Sequence, residues 1–85
     1  MEQSLAYLRE IMAGRADDTN MAGREIYKLL TNKQYTTEAA FVRDLTQEEA
    51  KYLNSILIQA IEYSNQEKDE KRARHLNEIY EILMI

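Results

Sequence analysis

The residues able to carry chemistry are few, and their spacing argues against most of it. His75 is the single histidine and there is no cysteine. A histidine base needs a nucleophile partner, and no serine stands in a nucleophile motif. His75 instead ends the run Lys71-Arg72-Ala73-Arg74-His75 and reads as a surface residue on a charged helix. Asp18, Asn20 and Gly23 match positions 1, 3 and 6 of a calcium loop. Position 5 is Ala22 and position 12 is Leu29, so two oxygen ligands are missing. Asp17-Asp18 reads better as a helix cap. The pairs Glu48-Glu49 and Asp69-Glu70 are adjacent, and neighbours on a helix point about 100° apart, so they cannot share one substrate bond. Gly14 and Gly23 form no phosphate loop. No cofactor or metal site is expected, and an enzyme is disfavoured.

The elements that position these residues are helices. The chain has 85 residues, no proline and two glycines, so helix breakers are scarce. That length makes one domain at most, spanning residues 1–85, with a small core that dimerisation often reinforces. No basic leader with an apolar stretch is visible at the start, and no segment approaches the roughly 20 apolar residues of a membrane span. A cytoplasmic protein is expected.

Helix one is predicted from about Ser4 to Ala13, with Leu5, Leu8 and Met12 on one face and Tyr7 and Ile11 beside them. Gly14 stands where a left-handed residue would close that helix. Arg15 to Thr19 reads as a loop, with Asp17 or Asp18 capping the next helix. Helix two runs from about Thr19 to Thr31 with Ala22, Ile26, Leu29 and Leu30 inward. A short helix from about Thr37 to Asp44 is capped by Thr36 or Thr37 and turns Ala40, Phe41 and Leu45 inward. Thr46-Gln47-Glu48-Glu49 is a capping box opening a helix from Gln47 to about Gln66. Leu53, Leu57, Ala60, Ile61 and Ser64 trace one face of it with Ala50; Tyr52, Ile56 and Tyr63 trace a second.

Residues 64–72 contain nothing apolar. Either the chain turns near Glu67-Lys68-Asp69 and Asp69 caps a fifth helix, or one helix runs from 47 to 83, about 55 Å long. The hairpin is the better reading, because a continuous helix would leave its middle polar all round. Helix five then carries Ala73, Leu76, Ile79, Tyr80 and Leu83 inward. The fold class is all-α, a small bundle of four or five helices with a C-terminal hairpin.

Two groups of residues remain as binding candidates. Ile58 lies between Asn54 and Glu62 on what should be a polar face, and Ile82 and Ile85 follow Glu78 on the outer side of the last helix. Such a ridge fits a second copy, as a homodimer, or another protein. The alternative is a nucleic-acid patch of Lys68, Lys71, Arg72 and Arg74. The net charge is −4, and residues 46–85 carry five bases against eight acids, so the field of that patch is largely cancelled and nucleic acid is disfavoured. Most of the six tyrosines are expected at the rim of the core.

One likeness covers nearly the whole chain. Its pieces are Leu5-x-Tyr7-Leu8-Arg9-Glu10, Phe41-Val42-x-Asp44-Leu45, Leu53-Asn54, Ile61-x-Tyr63, Glu67-x-Asp69-x-Lys71-Arg72-Ala73 and Leu76-Asn77-Glu78-x-Tyr80-Glu81. In this order and spacing they resemble the CsgA-type small protein of Bacillus and its relatives, a sigma-G-dependent, sporulation-specific small acid-soluble protein. The resemblance implies synthesis in the forespore and residence in the spore. It implies no catalytic or cofactor residue. DNA coating does not carry over, because the DNA-coating spore proteins are a different family with glycine-containing motifs that this chain lacks.

Overall fold

A computed structural model describes residues 2–15 and 21–83. Five helices follow one another among them: α1 (Gln3–Ala13), α2 (Met21–Asn32), α3 (Glu38–Arg43), α4 (Gln47–Gln66) and α5 (Glu70–Leu83). The expected all-α fold and its hairpin are both present. The helices α4 and α5 pack along each other, α1 lies on α5 and α2, α2 on α4, and α3 on α5. The proposed caps at Asp17 and Asp18, and the first residues assigned to helix two, lie outside the described residues.

The starts of α1, α3, α4 and α5 each have a local chemical cause. The Glu2 carboxylate accepts from the backbone N–H groups of Ser4 and Leu5, satisfying two donors left free at the head of α1. Thr37, not Thr36, caps α3 by accepting from Ala40 N at 3.1 Å. Thr46 and Glu49 complete the reciprocal capping box of α4. Asp69 accepts from Arg72 N at 3.2 Å and so opens α5.

The ends differ from the expectation at one place. Gly14 is not left-handed; its φ is −71°. The last turn of α1 tightens instead, with Gly14 N donating to Ile11 O and Arg15 N to Met12 O, so the end carbonyls are met without a left-handed residue. The positive φ belongs to Lys68, at 59°. Around it Asp69 N donates to Ser64 O at 2.8 Å and Lys68 N to Asn65 O at 3.1 Å. This 6→1 and 5→2 pair is a Schellman turn, and it reverses the chain between α4 and α5.

A β-carbon in that conformation costs about 1–2 kcal/mol, while glycine gives back about 0.4–1 kcal/mol through the freer unfolded chain. Lys68→Gly is therefore expected to stabilise the protein by about 0.5–1 kcal/mol. The thermal midpoint should rise by about 3–6 °C, with Lys68→Ala unchanged. Circular dichroism melts of the three proteins check this, and equal midpoints for the glycine and alanine variants would sink it.

The core joins the five described helices and the connection before α3. Leu5, Leu8 and Met12 of α1 meet Ile26 and Leu30 of α2, Phe41 of α3, Leu53, Ile56 and Leu57 of α4, and Leu76 and Ile79 of α5. Tyr35, in that connection, is also buried, and its ring meets Phe41 edge-on with centroids 5.5 Å apart. Its hydroxyl donates to Asp44 at 2.7 Å, and Lys33 donates to the same carboxylate oxygen at 2.9 Å. Burial, then the hydrogen bond and charge of Asp44, push the Tyr35 hydroxyl up to about 12. The bonds from Tyr35 and Lys33 hold Asp44 below the usual carboxylate range. Gly23 is buried where α2 meets α4, and a β-carbon there would stand 3.2 Å from the Tyr52 hydroxyl oxygen. Tyr7, Tyr27, Tyr52 and Tyr80 sit at the rim as expected. Tyr63 does not; it is 61% exposed.

Candidate functional site

The first candidate surface lies on α4. Ile58 is 40% exposed, among exposed Ser55, Gln59 and Glu62. The spacing Ala50, Asn54, Ile58 places these three on one side of α4, a turn apart. Ala50, Lys51 and Asn54 line a shallow groove of about 270 Å³, and Leu83 at the end of α5 closes its other wall. Asn54 Oδ1 is buried there without a hydrogen-bond partner. Ile82, the neighbour of Leu83, is half-buried. Ile85 lies outside the described residues.

The second candidate, the basic segment, does not converge on one surface. Lys68 is exposed in the turn, and Lys71 and Arg74 are exposed on α5. Arg72 turns back onto α1. Its guanidinium donates to Glu10 Oε2 at 3.1 Å and its Cζ stands 5.1 Å from the centre of the Tyr7 ring. A guanidinium over an aromatic face is attracted by the ring quadrupole. Tyr7 in turn contacts His75, ring centres 5.5 Å apart. Arg72, Tyr7 and His75 thus form a column that fastens α5 to α1.

The third feature was missed in the sequence. His75 is not a surface residue on a solvated face. Ser4 is fully buried, and its Oγ lies 3.0 Å from His75 Nδ1 and donates to Glu78 Oε2 at 3.2 Å. Glu38, at the first position of α3, is half-buried. The hydroxyl has one proton and Glu78 is acceptor-only when ionised, so satisfying all three groups requires Nδ1–H to donate to Ser4 Oγ. Burial first, then the charge and hydrogen bond of Glu2 and the charge of Glu78, push the Glu38 carboxyl up to about 7.

Serine, histidine and glutamate together invite comparison with a hydrolytic triad, and the geometry rejects it. Both Ser4 and Glu78 address the same ring nitrogen, Glu78 at 3.9 Å. A triad places nucleophile and acid on opposite nitrogens, with the nucleophile open to substrate. Among the described residues no group of three or more His, Asp or Glu is arranged to hold a metal ion. No described helix is long and apolar enough to cross a membrane. A hint of the cluster did exist in the sequence. Ser4 precedes Leu8 by four residues on the inward face of α1, and His75 precedes Glu78 by three on α5.

Comparison with known proteins agrees with the likeness read from the motifs. A sigma-G-dependent sporulation-specific SASP protein of Bacillus subtilis (strain 168) is 39% identical over 84 residues, covering 99% of this chain and 100% of the relative. No solved structure matches. The family described as CsgA, minor curli fiber component A, matches residues 1–84, and the chain therefore belongs to that family.

Proposed function

We propose that this chain is a small non-enzymatic protein of the sporulating cell, made in the forespore and held in the spore core. We further propose that it acts by protein–protein association, first of all with a second copy of itself. The relative's printed role supports the setting.

The observation that carries association is the groove between the start of α4 and the end of α5, with exposed Ile58 one turn beyond Asn54 on the same side of α4. The basic segment offers less. With Arg72 held by Glu10 and Tyr7, the outward bases Lys68, Lys71 and Arg74 stand beside exposed Glu67, Asp69 and Glu70.

Light scattering over a wide concentration range tests the association. The protein is expected to exceed the monomer mass as concentration rises. A variant with Ile58, Ile82 and Ile85 each changed to Ser is expected to stay monomeric with an unchanged helical signal. A wild type that is monomeric throughout would overturn self-association, and a variant that associates like the wild type would overturn the surface. An immunoblot of growing cells, sporulating cells and purified spores tests the setting; equal amounts in growing cells would refute it.

A further inference from the structure

The side of α4 that faces away from the core carries a regular seam. Glu48, Lys51, Ser55, Ile58, Glu62 and Asn65 are all exposed. Their spacing alternates between three and four residues, the repeat with which two paired helices keep a common line of contact. The seam runs along about 26 Å of helix. We propose that a second copy docks on this seam with its α4 antiparallel to the first, Lys51 of each copy pairing with Glu62 of the other. The inference rests on the self-association proposed above and adds its direction and register.

Charge chooses the direction. In a parallel pair each residue meets its own equivalent, so Lys51 faces Lys51 and Glu62 faces Glu62. In an antiparallel pair about an axis midway between Ser55 and Ile58, Lys51 meets Glu62 once on each side of the axis. Like charges set against each other across an interface are costly, and opposite ones fix its register. Both side chains are free to pair in this way, since neither forms an ion pair with another described residue.

Size agrees with charge. The same axis sets Ile58 of each copy on Ser55 of the other, a large residue against a small one. The Ser55 hydroxyl already donates to Tyr52 O at 2.8 Å, so it needs no partner across the contact. Ile58 is the one apolar member of the seam and stands near its middle, where an interface is driest. Lys51 also lines the groove that Leu83 closes, so seam and groove form one continuous surface.

Sedimentation equilibrium of the full chain tests the register. Lys51→Glu and Glu62→Lys each set like charges against each other on both sides of the axis. Each alone is expected to raise the dimer dissociation constant by about tenfold or more. An equimolar mixture of the two variants is expected to regain association near that of the wild type, because the reversed charges then meet opposite ones. Circular dichroism melts check that each variant is folded. Should Lys51→Glu fail to fold, Glu62→Lys serves alone and with Lys51→Gln added; removing the facing cation should recover part of the loss. Single variants that associate like the wild type, or a mixture no tighter than either variant, would overturn the register without touching self-association. A wild type that stays monomeric throughout would overturn both.

Discussion

Phe41→Ala is expected to remove about 3–5 kcal/mol, the largest single-residue loss among the variants considered. Phe41 is the one fully buried side chain of α3, and it fills the space beneath Tyr35. Truncation loses its transfer free energy and leaves a cavity that a six-residue helix fastened at both ends cannot close. A domain of this length has a total stability of about 4–13 kcal/mol, so the variant should be partly unfolded near physiological temperature. Phe41→Leu, which keeps most of the volume, should cost much less, about 1–2 kcal/mol. Urea unfolding of the three proteins measures both. A Phe41→Ala loss within about 1 kcal/mol of wild type would mean that α3 contributes little to the core.

Ser4→Ala is expected to cost about 1–2 kcal/mol, although it removes a single oxygen. The hydroxyl is fully buried and joins His75 to Glu78. Without it His75 Nδ1 loses its partner, while half-exposed Glu78 can turn to water, so the penalty falls mainly on the imidazole. The loss should shrink by at least about 0.5 kcal/mol in a Glu78→Ala background, because groups in one hydrogen-bonded set do not act independently. A double-mutant cycle in urea decides it. Additive losses would show that Ser4 is merely a small residue at a close approach.

Much of the fold was legible because local rules and tertiary packing agree. Leu5, Leu8 and Met12 recur at helical spacing and are all buried. Thr46 and Glu49 fix the start of α4, and the polar stretch from Ser64 to Arg72 marks the hairpin. Gly14 and Lys68 show where local reasoning fails. A left-handed residue was expected at the glycine, yet tight i→i−3 bonds end α1, and the left-handed position falls on a lysine because the α4–α5 packing requires a reversal there.

The polar cluster around Ser4 failed for a different reason. Ser4 and Glu78 are separated by 74 positions, and nothing in the charged run around His75 reveals that a serine near the start of the chain lies against it. Arg72 is similar: in sequence it is one base among four, but in the fold it belongs to Tyr7 and Glu10. Ile58 was read correctly as exposed, because a lone apolar residue between Asn54 and Glu62 breaks the helical pattern.

The contact between Ser4 and His75 spans 71 positions, whereas α4 and α5 meet across a three-residue turn. Closing a loop of that size carries an entropic penalty of about 4 kcal/mol from its length alone. The order of assembly follows. The hairpin, made of neighbouring segments, is expected to form before α1 reaches α5. Interactions made after the folding barrier leave the forward rate nearly untouched and slow the reverse one. Replacing the buried serine, the imidazole or the arginine on Tyr7 is therefore expected to speed unfolding, in which α1 peels away from α5, and to leave the folding rate nearly unchanged in stopped-flow measurements.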